Sequence, residues 1–346
     1  MTDNANSLFG RRWQLDITGQ SKKYTLSSDQ EKGDPLRVRF RVHTKWYEWY
    51  WTADIEIWNP NEQLSSFFLS QGSTATSGSP PTQASQSTQP PPIQQGMQVS
   101  LQAGYQSPGQ YGEIFNGFVL QPMFDRVNQT DFVVTLHCII GLIPSARNSI
   151  SDVYGPSLTQ MQIIQQMAKK AYYPISTGTI ASSLSNKSLS FHKVVFGSPK
   201  KFFKEIAEDN NMQTWLESKS LWNVGDLIKD FPKEPKYTFT PKTGIVGTPQ
   251  QQQFGVRCRL LLNPNVKVSN PPMAVKIDNT VIQQLQVNPG DWSALSVLSQ
   301  TNTYCVVEAN YFGDTRGNEW YTDFLGWQGL GEAAALYAQP KTQVAQ

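Results

Sequence analysis

Three carboxylates near the end of the chain, Asp314, Glu319 and Asp323, lie close enough in sequence to suggest a metal site or general acid–base catalysis. Glycoside cleavage by paired carboxyl groups requires a groove and a separation of about 5 to 9.5 Å between them. Sequence spacing establishes neither of these. A cell-wall hydrolase is therefore one hypothesis for these residues, and no motif strengthens it.

The same segment is also typical of a tight turn that leads into a strand. In that interpretation Gly313 and Gly317 supply backbone dihedrals that other residues avoid. Asp314 accepts hydrogen bonds from turn amides, and Arg316 pairs with a carboxylate. A turn requires neither a groove nor a ligand, so we favour it over catalysis and expect no enzyme activity.

A second set of residues has the chemistry of nucleic-acid or carbohydrate binding. Arginine occupies alternate positions of one strand-like run: Arg37, Arg39 and Arg41. Three tryptophans nearby could stack on bases or sugars: Trp46, Trp49 and Trp51. However, Asp54 and Glu56 on the next strand-like run would cancel the positive field that a polyanion needs. Aromatic hairpins of this kind also fill subunit contacts, so we favour an interface and keep binding as an alternative.

The chain lacks the motifs of common metal, nucleotide and cofactor sites. It has no HExxH, no CxxC, no GxxxxGK[S/T] and no GxSxG, and we expect no metal and no cofactor. The cysteines, Cys138, Cys258 and Cys305, are odd in number and lie inside apolar runs, which indicates reduced core residues. No apolar stretch is long enough to span a bilayer, and the polar start does not resemble a secretion signal.

The composition indicates the fold class. Of the 346 residues only 16% are charged, while aromatic residues reach 12% and the net charge is +2. A low and balanced charge gives no sign of a polyanion-binding protein. Strand-favouring aromatics together with 24 Gly and 22 Pro predict a mainly β, loop-rich protein.

The order of the patterns along the chain predicts its domains. We expect a first β domain over 1–144, with a Pro/Ser/Gln-rich excursion at 72–95 that cannot build a core of its own. A small α+β domain follows at 145–232, then a second β domain at 233–328 and a tail at 329–346. Two β domains therefore flank a mixed middle.

The middle domain has helix signals that the flanking domains lack. A capping box at Ser157 and Gln160 predicts one helix. Ser198 followed by Pro199 predicts the start of a second. The run over 212–223 then has the pattern of a strand, a turn and a strand.

Several of these stretches resemble one protein family when they are taken in order. Three are similar to the C-terminal half of baseplate hub proteins of tailed bacteriophages: GTP at 247–249, GVRCRLLLNP at 255–264 and GDTRGNEWYT at 313–322. Four are similar to the first domain of that family: WN at 58–59, VSLQAGY at 99–105, IFNG at 114–117 and VTLHC at 134–138. The block 202–223 looks like its middle domain, and the excursion at 72–95 is longer than the family pattern.

The resemblance implies a structural protein of the virion tail. It implies two tail-tube-like β-barrels per chain, flanking the helix-strand-turn-strand unit, and a homotrimer that presents six similar barrels. Such a ring adapts a hexameric tail tube to a trimeric central spike, contacts other baseplate proteins and lets the genomic DNA pass without specific binding. The residues that we expect at oligomer or tail interfaces are Trp46, Trp49, Trp51, Gly313, Asp314, Arg316, Glu319 and Trp320.

Overall fold

The computed structural model describes residues 10–19, 22–46, 50–72, 97–140, 148–172, 175–217, 221–225, 234–252, 255–269, 273–283 and 301–327. The strands of the first β region are β1 (Arg11–Thr18), β2 (Lys23–Ser27), β3 (Val38–Lys45), β4 (Trp51–Trp58), β5 (Gln98–Tyr105), β6 (Tyr111–Arg126) and β7 (Phe132–Ile140). Those of the middle region are β8 (Ile150–Tyr154), β9 (Thr177–Ile180), β10 (Lys193–Gly197), β11 (Gln213–Glu217) and β12 (Leu221–Gly225).

The second β region contains β13 (Tyr237–Phe239), β14 (Gln250–Gln252), β15 (Gly255–Leu261), β16 (Ala274–Ile277), β17 (Thr303–Asp314) and β18 (Trp320–Trp327). The α-helices of the described residues are α1 (Glu62–Gly72), α2 (Gln160–Lys170) and α3 (Pro199–Glu208). Short 3-10 helices cover Ser182–Asn186, Pro241–Thr243 and Asn279–Val281. The expectation of a mainly β protein with a small α+β middle is confirmed.

Alternation of side chains determines which face of the sheet is buried. In β3, Val38, Phe40 and Val42 are buried, and the residues between them point to the opposite side. We call that opposite side the outer face of the sheet. Strand β4 repeats the pattern, and its Ile55 pairs with Phe40.

Both β regions belong to one sheet of 13 strands. Its main path runs β14-β15-β18-β17-β3-β4-β7-β6-β5-β1-β2, and β16 joins β13 to β17. The middle region has two small sheets of its own, β10-β8 and β11-β12-β9. The core therefore continues from the first β region into the second, while the strands of the middle region pair only among themselves.

The expectation of two closed barrels is wrong for the described strands, because the sheet path is open. Strand β17 pairs with β16 from Thr303 to Cys305 and with β3 from Glu308 to Asp314, along the same edge. Since β16 is only four residues long, it leaves most of that edge free, and β3 occupies it. The second region is thus joined to the first instead of closing on itself.

The helices match the sequence signals in part. Helix α3 begins after Ser198 with Pro199 in its first turn, as predicted. Helix α2 also has a capping box, but it is formed by Thr159 and Gln162, two residues later than predicted. A threonine hydroxyl caps a helix as Ser does, so the choice between Ser157 and Thr159 depended on tertiary packing.

Helix α1 was not anticipated, because after Glu62 its sequence has no charged residue, like the excursion that follows it. The side chain of Asn61 accepts a hydrogen bond from the amide of Leu64 and caps the helix. Leu64, Phe67 and Phe68 then pack into the core. The excursion itself, from residue 73 onward, and the predicted tail at 329–346 lie outside the described residues.

Candidate functional site: the seam between the two β regions

Among the described residues, an extensive polar site lies where β17 meets β3. Over this pairing Glu308 lies opposite Lys45 and Asp314 lies opposite Arg39. We call this pairing, together with the turn from Gly313 to Trp320, the seam. The interface candidates of the C-terminal motif all lie in it.

Gly313 leaves room for two large rings at the seam. It lies between Phe40 on β3 and Trp320 on β18. The two rings meet edge to face, with their centroids 5.5 Å apart. A Cβ at position 313 would lie 2.2 Å from the Phe40 ring. Only glycine therefore allows this aromatic pair to close over the strand.

Asp314 holds the turn and links it to β3. Its side chain accepts hydrogen bonds from the backbone amides of Arg316 at 3.0 Å and Gly317 at 2.9 Å. It also accepts two from the guanidinium of Arg37, at 3.2 and 2.6 Å. Burial acts to raise the pKa of Asp314, but these hydrogen bonds and the charge of Arg37 outweigh it, so the pKa is lowered.

Arg11 fastens the first strand of the chain to the same turn. Its guanidinium donates to the carbonyl oxygens of Asp314 and Asn318, each at 3.2 Å, and to that of Gly317. It also lies over the Trp320 ring, 5.3 Å from the centroid. The seam thus joins β1 and β3 to β17 and β18 through charged groups and aromatic rings.

The turn interpretation is correct in its main feature but wrong in two details. Asp314 does accept the turn amides, whereas neither Gly313 nor Gly317 has a positive φ. Both are required for close approach, since a Cβ at Gly317 would lie 2.6 Å from the Asp314 carboxylate. Arg316 donates to the carbonyl of Pro35 at 3.1 Å, and Arg37 makes the ion pair instead.

The three carboxylates that suggested catalysis each pair with a different arginine. Asp314 binds Arg37, and Asp323 receives two hydrogen bonds of 2.7 Å from Arg259. The third pair joins Glu319 to Arg39 at 3.1 Å. Arginine–carboxylate pairs of this kind link neighbouring strands and turns.

Two of the three aromatic candidates of the first β region are internal. Trp46 and Trp51 are both buried. The Trp46 ring packs edge to face on Trp215 of the middle region, 5.7 Å between centroids, and the Trp51 indole donates to the carbonyl of Lys45 at 3.0 Å. Trp49 lies outside the described residues.

Burial divides the interface candidates of the seam. Gly313, Asp314 and Trp320 are buried, and Arg316 and Glu319 are exposed. An interface role for the group stays a prediction. The buried members can influence a neighbouring molecule only through the shape of the seam, while the exposed ones are accessible to it.

Charges on the outer face compensate one another across the strands. Arg41 lies opposite Asp54 in the sheet register. Asp54 in turn contacts the imidazole of His137, with 2.6 Å between Oδ1 and Nδ1. Together with the pairs Arg39–Glu319 and Arg259–Asp323, these contacts leave the outer face mixed in charge, as balanced composition suggested.

Two absences concern the described part of the chain. It contains no cluster of His, Cys, Asp or Glu that could hold a metal ion. No helix in it is long and apolar enough to cross a membrane.

The three cysteines are free and buried, as predicted. Burial raises the pKa of each thiol, that of Cys258 to about 12.

Sequence reasoning missed two long-range contacts, one of them in the seam. Arg11 reaches a turn about three hundred positions later in the chain, and no spacing pattern signals such a contact. Trp215 lies in the predicted strand–turn–strand run over 212–223, but nothing in that run indicated its contact with Trp46. The available signal was the turn with Gly313 and Gly317. Its backbone carbonyls need hydrogen-bond donors, so a donor from elsewhere in the chain could be expected there.

The architecture is similar to that of known phage tail proteins. A tail protein from Neisseria meningitidis MC58 matches with a TM-score of 0.54 at 8% identity, covering 93% of this chain and 98% of that one. The 43 kDa tail protein of prophage MuSo2 from Shewanella oneidensis matches with a TM-score of 0.52 at 8% identity, covering 92% and 97%. At such low identity these matches show only that the chain shares the fold of these two proteins.

The family follows from the sequence. The family model described as "Baseplate hub gp41" matches residues 21–279, and the chain belongs to this family of structural tail proteins. The resemblance to baseplate hub proteins is therefore confirmed. A search of curated proteins gives no significant match.

Proposed function

We propose that this chain is the hub of a phage baseplate, a structural protein of the virion tail without an active site. Three copies form a ring that adapts a hexameric tail tube to a trimeric central spike. Its partners are the tail tube protein, the spike and other baseplate proteins. The observation that carries the proposal is membership of the baseplate hub family, supported by the tail-protein fold over almost the whole chain.

The seam gives this proposal a physical basis. A hub transmits load between tube and spike, so its two β regions must keep a fixed relation. The continuous pairing of β3 with β17 and the partly buried Asp314–Arg37 pair supply that rigidity within one chain. The predicted domains 1–144, 145–232 and 233–328 are then parts of a single mechanical unit.

The outer face over β3, β4, β15, β17 and β18 has the charge expected of a channel wall. Unpaired arginines would bind passing DNA, because each cationic contact with phosphate adds affinity. Here Arg39 and Arg259 are each paired with a carboxylate, which lowers that affinity. We assign this part of the outer face to the wall of the DNA channel.

Native mass spectrometry and electron microscopy of the purified chain test the proposal. We expect trimers, and rings that bind the spike protein at one end. Chains that stay monomeric even with the spike protein would contradict it. In a filter-binding assay at physiological salt, we expect duplex DNA to bind no more tightly than the ~10⁻⁴ to 10⁻⁶ M of non-specific complexes.

The alternative is a carbohydrate-binding or cell-wall-hydrolysing tail protein. Zymography on peptidoglycan distinguishes a structural hub from a cell-wall hydrolase. We expect no cleared zone. Activity that disappears in Glu319→Gln would replace the structural proposal, since Glu319 is exposed and its loss should leave the fold intact.

A further inference from the structure

The ribbon formed by β8 and β10 exposes an apolar face. Val153 lies opposite Val194, and Phe196 lies beside them on the same side. These side chains are 58%, 70% and 82% exposed, while Val195 between them is fully buried on the other side. We call Val153, Val194 and Phe196 the ribbon face. Phe191, 81% exposed, lies three positions before Val194 in the chain.

A second apolar patch lies on a different sheet, at the far half of β6. Phe118, Leu120 and Met123 are 38%, 61% and 44% exposed. Strand β5 pairs with β6 as far as Phe118, and the amide of Val119 still donates to the carbonyl of Met97 at 2.8 Å. Beyond Val119, within the described residues, β6 pairs only with β7 and has no strand on its other side. We call Phe118, Leu120 and Met123 the β6 patch.

Both surfaces are exposed in the single chain that the structure describes. Solvent-exposed apolar clusters of this kind mark interaction sites, and an unpaired strand edge invites a partner. Aromatic side chains bury about 150–250 Å² each. Phe196 alone therefore offers a substantial part of the ~800 Å² that one partner buries in a standard interface.

The symmetry of the proposed ring requires two different surfaces. A dimer with a twofold axis can bind through one patch that contacts itself, but a ring of three repeats a head-to-tail contact between unlike patches. The ribbon face and the β6 patch lie on separate sheets of the same chain. Each subunit thus carries two distinct apolar surfaces, as a closed ring needs.

We propose that the ribbon face of one copy binds the β6 patch of the next copy and that this contact closes the ring. The inference rests on the proposed function, because it assumes a ring of odd order. It adds the surfaces that make the subunit contact and the direction in which the contact runs.

Single substitutions test each surface. Phe196→Gln and Leu120→Gln each replace an exposed apolar side chain and should leave the fold intact, which circular dichroism and thermal unfolding verify. We expect each to weaken assembly about tenfold to hundredfold, in the range of central interface residues. Leu69→Gln is the matched control, since Leu69 on α1 is 59% exposed and belongs to neither surface.

Mixing the two variants tests the direction of the contact. The Phe196→Gln protein keeps an intact β6 patch, and the Leu120→Gln protein keeps an intact ribbon face. One head-to-tail contact is therefore restored in the mixture, and the ring cannot close. We expect native mass spectrometry to show more dimer than either variant gives alone. A mixture without extra dimer overturns the pairing of the two surfaces.

The outcomes separate this inference from the proposed function. If the unmodified chain forms trimers and both variants form them equally well, the surfaces are wrongly assigned and the hub proposal stands. Assembly lost in Phe196→Gln alone indicates that the ribbon face binds something other than the β6 patch and overturns the inference. An unmodified chain that stays monomeric with the spike protein contradicts both.

Discussion

The seam and the ribbon face both depart from the usual rule that polar residues are exposed and apolar residues are buried, but in opposite ways. At the seam, a carboxylate and two glycines are buried or crowded among aromatic rings. On the ribbon face, Phe196 and Val194 are exposed to solvent. The Asp314 carboxylate is satisfied inside the chain by Arg37 and two turn amides, whereas the side chains of the ribbon face stay exposed. The seam therefore concerns the stability of one subunit, and the ribbon face concerns what the subunit binds.

The largest effect on stability should come from the indole at the centre of the seam. Trp320→Ala removes the ring that packs on Phe40 and under Arg11. Since Trp320 is 1% exposed, we expect a loss of about 3–5 kcal/mol in the free energy of unfolding. Denaturant unfolding measures it. Tyr50→Ala, at a side chain 45% exposed, is the control and should cost little. A loss below about 1 kcal/mol for Trp320→Ala would show that the seam does not stabilise the chain.

The next effect should come from the ion pair. Asp314→Asn leaves Arg37 without its counter-charge, and we expect a loss of about 2–4 kcal/mol. This lies below the value for a fully buried pair because the Arg37 side chain is 36% exposed. Asp323→Asn removes a similar contact from a more exposed arginine and should cost about 1 kcal/mol or less. Equal losses in the two variants would contradict the special role of the seam.

The pH dependence of the same variant has a definite sign. The pKa of Asp314 is lowered in the folded chain, so below the ordinary value of about 3.9 the unfolded chain binds more protons. The stabilisation by Asp314 is present above that pH and is lost as the pH falls through the folded pKa. We expect the difference between the unmodified chain and Asp314→Asn to be constant near pH 6 and to shrink below about pH 4. A stability difference that grows as the pH falls would contradict this prediction.

A smaller effect should follow from a single methyl group. Gly313→Ala places a Cβ against the Phe40 ring, and we expect the strain to cost about 1–3 kcal/mol. Gly112→Ala is the control, because its Cβ would meet only Pro264, at an ordinary 3.5 Å. Thermal unfolding of both variants checks the contrast. Equal melting temperatures would mean that Phe40 and Trp320 move to accommodate the methyl group with no loss of stability.

These contrasts also show how far sequence reasoning reaches. The alternation in β3, the Ser198-Pro199 start of α3 and the amide-accepting role of Asp314 follow from local chemistry, and the structure agrees with each. The open sheet does not follow from it, because closure depends on which strand occupies the free edge of β17. Arg11 and the exposed ribbon face were missed because both depend on contacts between elements far apart in the chain.

The smallest effect on stability should come from the ribbon, where adjacent residues of β10 face opposite ways. Phe196→Gln changes an exposed side chain, and we expect the free energy of unfolding of the monomer to change by less than about 0.5 kcal/mol. Val195→Ala, one position earlier, removes two buried methyl groups and should cost about 2 kcal/mol. Assembly should respond in the reverse order, since only Phe196 faces the neighbouring copy. If Phe196→Gln destabilises the monomer as much as Val195→Ala does, Phe196 packs within its own chain and the ribbon face is not free to bind.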